Sequence, residues 1–454
     1  MKPNPRLTAG AAALVIFSVF LTGCGGSSTT AEISVSGDNV VVINNRIGVT
    51  DDTATLNVKA TALADNKLFS LVVKSADMAG LNEQTLNLNT TQFSTTLDFA
   101  PVENKKVSIG AGTINTADKK NTNTKSYTVH NVVRYMSNDD RQVLSIHRPM
   151  QPKAGNPAIL FIHGNWLDFS YFYDNAIDAA KEGYVAITMD FRSFDTGTSQ
   201  MPDQIEDVRC AIQYMKANST ELNIDPDNIG IVGYSVGAMF GLLTAFGSTN
   251  HIANGAGYSS RCPYSAENTN IKAIAALSVP NDVLQLLATI SDSTTPLQTR
   301  HAFENLIGVP LDASKPIRDH YNAYMKANPG ATLAQWRAAI KSLYNASTSI
   351  GNIVSWAEKL SPNAVLANRS IPLYFMHGKT DLTFPCAQSI QNVSAATQSD
   401  VYFYVFTASG NDHNWQNYTM EPKTEARMRY TAFFNKYLAG EIVDIPTETV
   451  TCDI

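Results

Sequence analysis

The stretch that most constrains the fold runs from Ile229 to Phe240 and reads IGIVGYSVGAMF. An apolar run ends at Gly233, and a segment of small residues typical of a helix begins after Gly237. Glycines two residues before and two residues after Ser235 leave room for a turn too tight for larger side chains. We therefore predict a strand, a strained turn with Ser235 at its tip, and a helix whose first N–H groups point to the same place.

From residue 126 onward, short apolar runs alternate with segments of helical periodicity. The runs have no polar face, so they predict strands that are buried on both sides, as in a parallel sheet. We therefore predict an α/β fold with a doubly wound, mostly parallel sheet that binds ligands at the carboxyl ends of its strands. Besides the Ser235 strand, the predicted strands are Ala158–Ile162, Tyr184–Met189, Ile271–Val279, Ile371–Met376 and Val401–Phe406.

An insertion separates the strands 271–279 and 371–376. It contains helical patterns, and we predict that residues 282–368 form a helical cap over the carboxyl ends of the strands. The alternative is that these helices only enlarge the domain. The predicted helices are 283–290, 299–306, 321–327 and 333–344.

Residues 31–125 have a different pattern. Segments such as Asn39–Ile43, Ala54–Val58 and Leu68–Val73 alternate apolar and polar residues, with Thr, Asn and Asp between them. This pattern predicts a small all-β domain resembling a β-sandwich. The polar stretch 117–125 is predicted to be a linker to a second domain, 126–454. Because its three phenylalanines follow strand patterns, the first domain is interpreted as a spacer rather than a polysaccharide-binding module.

Ser235 is a candidate nucleophile, and it needs a neighbouring base because a serine hydroxyl is a weak nucleophile at neutral pH. His413, in a Gly- and Asn-rich loop after the strand 401–406, is the candidate base. Asp381, just after the strand 371–376, is the candidate acid that fixes the imidazole tautomer, and Asp412 is the alternative. Each follows the carboxyl end of a strand, so a parallel sheet would gather them at one edge. His377 is interpreted as shaping the turn before Asp381.

Two backbone N–H groups are candidates to stabilise an oxyanion. One belongs to Val236, directly after Ser235. The other comes from the loop 163–166, which reads His-Gly-Asn-Trp, with Asn165 and Trp166 as candidates. Trp166 could instead be a wall of the pocket. The sequence has no Cys/His spacing typical of a metal site, so neither a metal nor a cofactor is predicted.

These motifs together resemble those of the α/β-hydrolase superfamily, within the esterase branch near feruloyl esterases, acetyl esterases and dienelactone-hydrolase-like enzymes. The resemblance extends over residues 126–440 and departs from the family at Asn165, where a second glycine is usual. It implies a serine carboxylic ester hydrolase that forms an acyl-enzyme on Ser235 and acts on a small-molecule ester. Besides the G-Y-S-V-G element, the resemblance rests on the segments 223–230, 377–381 and 410–413.

Two other functions are compatible with parts of the sequence. An all-β region before a hydrolase-like region suggests a serine peptidase of the prolyl-oligopeptidase type, but residues 31–125 are too few for a propeller. A binding protein could keep the fold without chemistry, but the complete set of Ser, Asp and His in the expected order argues against it.

The N-terminus combines a positively charged start, a short apolar run and the sequence Leu-Thr-Gly-Cys24. This resembles the lipobox of bacterial lipoproteins, which implies a signal peptide over residues 1–23, acylation of Cys24 and a tether over 24–30. The predicted location is the bacterial cell envelope, with a lipid anchor in the outer membrane or facing the periplasm. The alternative is an ordinary secretion signal that contains a cysteine.

Four further cysteines allow three pairings, and an even number outside the cytoplasm predicts at least one disulfide. The formal net charge of -6 and the lack of a basic tract argue against nucleic acid as a partner. The sequence does not specify an oligomeric state. The four cysteines are Cys210, Cys262, Cys386 and Cys452.

Overall fold

The structure, a computed structural model, describes residues 31–447 and Cys452 apart from short stretches. The predicted signal peptide 1–23, Cys24 and the tether 24–30 lie outside the described residues. So does the segment 84–88, whose alternating apolar and polar residues also predict a strand. The stretches left out between 31 and 447 are 52–53, 65, 75–89, 100–105, 119, 166, 193–200, 248–257, 290–303, 305–314, 345–347, 369, 382, 397–399, 407–412 and 414–420.

The N-terminal region consists of two β-sheets packed on one core. Its strands are β1 (Ala31–Ser36), β2 (Val40–Ile43), β3 (Arg46–Val49), β4 (Ala54–Ala62), β5 (Lys67–Lys74), β6 (Gln92–Phe99), β7 (Lys106–Ile114) and β8 (Lys120–Asn131). One sheet has the order β1-β4-β6 and the other β2-β3-β8-β7-β5. Within β4, Leu56 and Val58 are buried while Asn57 is exposed, and the buried side chains of both sheets form one cluster. This is the two-layer arrangement that the alternating sequence predicts.

The stretch 117–125, predicted to be a linker, instead contributes to β8, which starts at Lys120. β8 pairs with β7 and β3 and crosses residue 125, where the sequence predicts a boundary between domains. The first seven side chains of β8 are exposed or half-buried, so their polar composition resembles that of a loop. These residues are polar because they lie on an exposed part of a strand, not because the segment is a loop.

The second region is built on an eight-stranded sheet. Its strands are β9 (Val133–Arg134), β10 (Val143–His147), β11 (Asn156–Ile162), β12 (Val185–Met189), β13 (Ile224–Tyr234), β14 (Ala273–Leu277), β15 (Leu373–Gly378) and β16 (Val401–Phe406). The order is β16-β15-β14-β13-β11-β12-β10-β9. The strands from β16 to β12 are parallel, whereas β10 is antiparallel to β12 and β9 to β10. The predicted fold class is confirmed.

Helices cover both faces of this sheet, which explains its apolar strands. Alternate residues of β11 point to opposite faces: Leu160 belongs to one core cluster and Phe161 to the other. The first cluster includes Met239 of the helix Val236–Phe246, and the second includes Phe433 of the helix Glu421–Tyr437. The helices are α1 (Tyr173–Lys181), α2 (Met201–Ala217), α3 (Ser219–Leu222), α4 (Val236–Phe246), α5 (Tyr258–Arg261), α6 (Val283–Thr289), α7 (Lys315–Ala327), α8 (Leu333–Leu343), α9 (Ser349–Lys359), α10 (Ala387–Ala395) and α11 (Glu421–Tyr437).

The insertion 282–368 contains α6 to α9 and two short 3-10 turns. Helix α9 is absent from the sequence prediction, and most of the predicted helix 299–306 lies outside the described residues. Trp336 of α8 is fully buried in the same cluster as α4, so the insertion packs on the main core. Arg337 pairs with the buried Asp282, which ties α8 to the start of the insertion. A role as a cap over the site stays a prediction.

Two disulfides stabilise the second region. Cys210–Cys262 joins α2 to the residue after α5, and Cys386–Cys452 joins the start of α10 to the C-terminal segment. The Cα atoms lie 5.8 Å and 5.6 Å apart, in the normal range for a disulfide. Of the three pairings that the sequence allows, the structure contains this one.

Among the helices that the structure describes, none combines the length and apolar character needed to cross a membrane.

Candidate active site

Ser235 lies at the tip of the predicted strained turn, between β13 and α4. Its φ of 55° and ψ of −128° are unusual for a residue with a side chain. The two glycines allow this geometry, because a Cβ on Gly233 would lie 2.4 Å from the Cα of Ala238. A Cβ on Gly237 would lie 2.2 Å from the carbonyl oxygen of His163. The turn thus packs closely against both α4 and the end of β11.

The structure brings together the three candidate residues predicted from the sequence. Ser235 Oγ lies 3.1 Å from His413 Nε2, and His413 Nδ1 lies 2.7 Å from Asp381 Oδ2. Ser235 follows β13, Asp381 follows β15 and His413 follows β16, so the parallel sheet gathers residues 178 positions apart. Since an ionised carboxylate only accepts, Nδ1–H donates to Asp381 and Nε2 faces the serine hydroxyl as an acceptor. Asp412, the alternative acid, lies outside the described residues.

The Asp381 carboxylate is buried and ionised. Burial would raise its pKa, but the neighbouring His413, together with hydrogen bonds from His413 and His377, holds the pKa well below its usual value. Its other oxygen, Oδ1, accepts the backbone N–H groups of Thr383 and Phe384 at 2.8 Å and 2.9 Å. These donors fix the orientation of the carboxylate towards the imidazole.

His377 shapes this turn, as the sequence suggests, but it also contacts the acid directly. Its Nε2–H donates to the Phe384 carbonyl at 2.8 Å and lies 3.2 Å from Asp381 Oδ2. Its Nδ1 accepts the Ser389 hydroxyl of α10 at 2.7 Å. The side chain is fully buried. The spacing of four residues between His377 and Asp381 is the feature of the sequence that could have indicated this second contact.

Tyr234 is a positioning residue that sequence reasoning missed. Its hydroxyl donates to the backbone carbonyl of His413, and its ring stacks on Tyr171 with centroids 5.0 Å apart. Burial raises the pKa of Tyr234 well above its usual value, so the hydroxyl stays protonated and can donate. Nothing in the sequence around the motif indicates which distant carbonyl this hydroxyl reaches.

The candidate oxyanion donors belong to two segments that meet at Ser235. Val236 is the first residue of α4, so its N–H is one of those that a helix leaves without an intrahelical partner at its start. Gly164 packs against the turn, since a Cβ there would lie 3.1 Å from the Cβ of Ser235. Asn165 is partly exposed beside it, and Trp166 lies outside the described residues.

His163 and Leu167, on either side of the candidate oxyanion residues, contact side chains that the sequence did not single out. His163 Nδ1 lies 2.6 Å from the Gly164 carbonyl, and Nε2 lies 3.2 Å from Asp190 Oδ1. Arg141 donates to the same carboxylate at 2.9 Å and also to the carbonyl of Leu167. Asp190 is fully buried. It follows β12, the neighbour of β11, which is why it can reach the loop.

Residues 144–330 match the family model described as BD-FAE. The matched region includes Ser235 and ends before Asp381 and His413. Among solved structures, the propionate-bound thermophilic esterase Est2 of the Planctomycetes species Thermogutta terrifontis has 15% identity and a TM-score of 0.45. The matched region covers 67% of this chain and 93% of the esterase. A truncated carbohydrate esterase from gut microbiota has 19% identity and a TM-score of 0.48, with coverages of 68% and 95%.

The sheet order and the strained turn define an α/β-hydrolase fold, and the Ser–His–Asp contacts are the geometry expected at the active site of a serine hydrolase. The predicted enzyme class is confirmed by the match to a hydrolase family. Over residues 144–330 the chain is similar to the BD-FAE family of α/β-hydrolase-like esterases, in agreement with the resemblance stated from the sequence.

Proposed function

We propose that this protein hydrolyses carboxylic esters of small molecules through an acyl-enzyme on Ser235. The observation that carries the proposal is the unbroken line of contacts from Ser235 Oγ to His413 at 3.1 Å and from His413 to Asp381 at 2.7 Å. These distances are within the reach required for proton transfer to a general base. The similarity to α/β-hydrolase-like esterases supports an ester rather than another acyl compound.

In the acylation step, Ser235 Oγ forms a bond to the carbonyl carbon while its proton moves to His413 Nε2. The imidazolium is stabilised by the buried Asp381 carboxylate, whose depressed pKa keeps it ionised. The N–H groups of Val236 and Asn165 stabilise the oxyanion, and each such donor contributes roughly 3 kcal/mol. His413 then gives its proton to the alcohol oxygen, the C–O bond breaks, and the acyl group remains on Ser235.

Deacylation repeats these steps with water. A water molecule gives a proton to His413 Nε2 and attacks the acyl carbon, and collapse of the second tetrahedral intermediate returns the proton to Ser235 Oγ. The products are a carboxylic acid and the free enzyme. All groups required are on this chain, and no cofactor takes part in the proposed cycle.

The proposal is tested by the turnover of p-nitrophenyl acetate with the full chain and with Ser235→Ala. A Ser259→Ala variant, which changes an exposed serine of α5, is the matched control. We expect Ser235→Ala to lose activity by at least about 10³-fold, Ser259→Ala to keep it, and a fluorophosphonate to label the parent chain at Ser235. Unchanged turnover in Ser235→Ala would overturn the proposal. Proline-containing peptide amides assayed in parallel separate the esterase from the peptidase alternative.

We further propose that Cys24 is acylated and that the mature protein is anchored in the bacterial cell envelope. The support is the Leu-Thr-Gly-Cys sequence after a charged and apolar start, followed by Gly and Ser residues. Cys24→Ser should move the protein from the membrane fraction to the soluble fraction and abolish incorporation of labelled palmitate. If Cys24→Ser still incorporates labelled palmitate, Cys24 is not the acylation site.

A further inference from the structure

A hairpin of the N-terminal region contacts the segment that follows the candidate oxyanion loop. The β2–β3 turn begins at Asn44, whose φ of 52° is tolerated by asparagine. Asn44 Nδ2 donates to Asp168 Oδ2 at 2.8 Å, and Arg46 Nε donates to Ser170 Oγ at 3.0 Å. Both acceptors lie within four residues of the loop 163–166. The two regions therefore meet at the segment that follows the oxyanion loop and not only at a chain connection.

Apolar side chains are also buried where the β2–β3 hairpin meets the second region. Phe169, between the two acceptors, is 1% exposed. The ring of His130 from β8 packs edge-on against it, with centroids 5.3 Å apart. The buried cluster around it combines residues of both regions: Val41, Ile43, Val132, Val143 and Phe169. A junction that is both buried and hydrogen-bonded is expected to behave as one rigid unit.

Asn44 supports a buried charge. The Asp168 carboxylate is 8% exposed, caps the 3-10 turn Phe169–Phe172 and accepts the Ser170 N–H and hydroxyl. Burial would raise the pKa of Asp168, but the hydrogen bonds from Ser170 and Asn44, together with the nearby His163, lower it below its usual value. Removing the Asn44 amide therefore leaves a buried carboxylate oxygen with one donor fewer, and the turn is expected to shift.

The turn is connected to the oxyanion loop through Asp190. Phe169 N–H donates to Asp190 Oδ2 at 3.4 Å, and the other oxygen of that carboxylate lies 3.2 Å from His163 Nε2. Arg141 joins Asp190 to the Leu167 carbonyl. The described residues 163–165 of the loop thus follow β11 directly, and His163 is linked through Asp190 to a turn that the N-terminal hairpin contacts.

We propose that the β2–β3 hairpin is part of the active-site framework, with Asn44 and Arg46 as positioning residues for the oxyanion loop. The inference rests on the proposed function, because the loop position affects rate only if the loop stabilises an oxyanion. A displaced donor weakens stabilisation of the transition state while leaving substrate binding nearly unchanged, so the effect falls on kcat rather than KM. The spacer interpretation instead predicts that activity is independent of these contacts.

The test compares Asn44→Ala with Asn57→Ala in the full chain. Asn57 is an exposed asparagine of β4 whose side chain accepts the Thr96 hydroxyl within its own sheet, so both variants lose one exposed asparagine amide. For p-nitrophenyl acetate we expect Asn44→Ala to lower kcat about 5- to 20-fold with KM within about twofold, and Asn57→Ala to match the parent. Near-UV circular dichroism at the assay temperature verifies that each variant is folded.

Exchanging the side chains of residues 44 and 168 should restore their hydrogen bond and, with it, kcat. In Asn44→Asp with Asp168→Asn, the amide of residue 168 can donate to the carboxylate of residue 44, and kcat should recover to within about threefold of the parent. Equal kcat in Asn44→Ala and Asn57→Ala, or no recovery on exchange, would overturn the inference. If Asn44→Ala does not fold, Arg46→Met is judged against Asn57→Ala in the same way; it removes the contact to Ser170 and a longer one, of 3.4 Å, to the neighbouring Asn45 carbonyl. A parent chain that neither turns over esters nor reacts with a fluorophosphonate would instead refute the proposed function.

Discussion

Gly237→Ala should lower the rate of catalysis, because its side chain would collide with the backbone at the start of the oxyanion loop. The new Cβ would lie 2.2 Å from the His163 carbonyl oxygen and 2.5 Å from that of Ile162, both backbone atoms. An ordinary contact begins at 3.4 Å, so α4 and the oxyanion loop must separate by about 1 Å. A misplacement of that size costs about 10²-fold in rate, and the overpacking costs about 1–3 kcal/mol of folding free energy.

The assay is steady-state hydrolysis of p-nitrophenyl acetate together with urea unfolding, and the control is Gly241→Ala on the same helix. A Cβ at residue 241 would meet only side chains, the nearest being Ile231 Cγ2 at 3.1 Å, and alanine favours a helix by about 1 kcal/mol. We expect Gly237→Ala to lower kcat about 100-fold and Gly241→Ala to leave it within about twofold. A normal kcat in Gly237→Ala, or an equal loss in Gly241→Ala, would refute the steric argument.

Three further predictions concern charge and covalent constraint. Asp381→Asn should lower kcat by about 10³–10⁴-fold. Because the folded pKa of Asp381 is depressed, its stabilising contribution is complete above its unfolded pKa of about 4 and lost as the pH falls towards the folded pKa. The difference in unfolding free energy between parent and variant should therefore be larger at about pH 5 than at about pH 3 in urea titrations. Cys452→Ser should cost about 2–4 kcal/mol under oxidising conditions, and dithiothreitol should remove the difference from the parent. Arg337→Met leaves the buried Asp282 without its cation and should lower the free energy of unfolding by about 3–5 kcal/mol. Lys341→Met breaks an exposed ion pair and should lower it by less than about 1 kcal/mol. Equal losses in the two variants would contradict this prediction.

The sequence was most informative where the signal is local. The glycines around Ser235 predicted the strained turn because the steric conflict that they relieve arises within a few residues. The positions of Asp381 and His413 could be predicted because each follows a strongly apolar run, and parallel strands bring their carboxyl ends to one edge. The same reasoning failed for residues 117–125, where exposed side chains on a strand resemble a loop.

Contacts between distant elements could not be predicted in this way. Tyr234 lies inside the motif, but only the placement of His413 beside β13 decides that its hydroxyl reaches the backbone of His413. Asp190 is one polar residue among several after a strand, and it holds His163 only because β12 lies beside β11.

The sequence by itself determined the α/β fold class, the strained turn at Ser235 and the three candidate catalytic side chains, since periodicity and glycine geometry act over a few residues. The tertiary structure alone decided the Cys210–Cys262 and Cys386–Cys452 pairing and the contact of the Asn44 hairpin with Asp168. These depend on which faces of separate elements meet, and that is set by the packing of the whole core rather than by any local pattern.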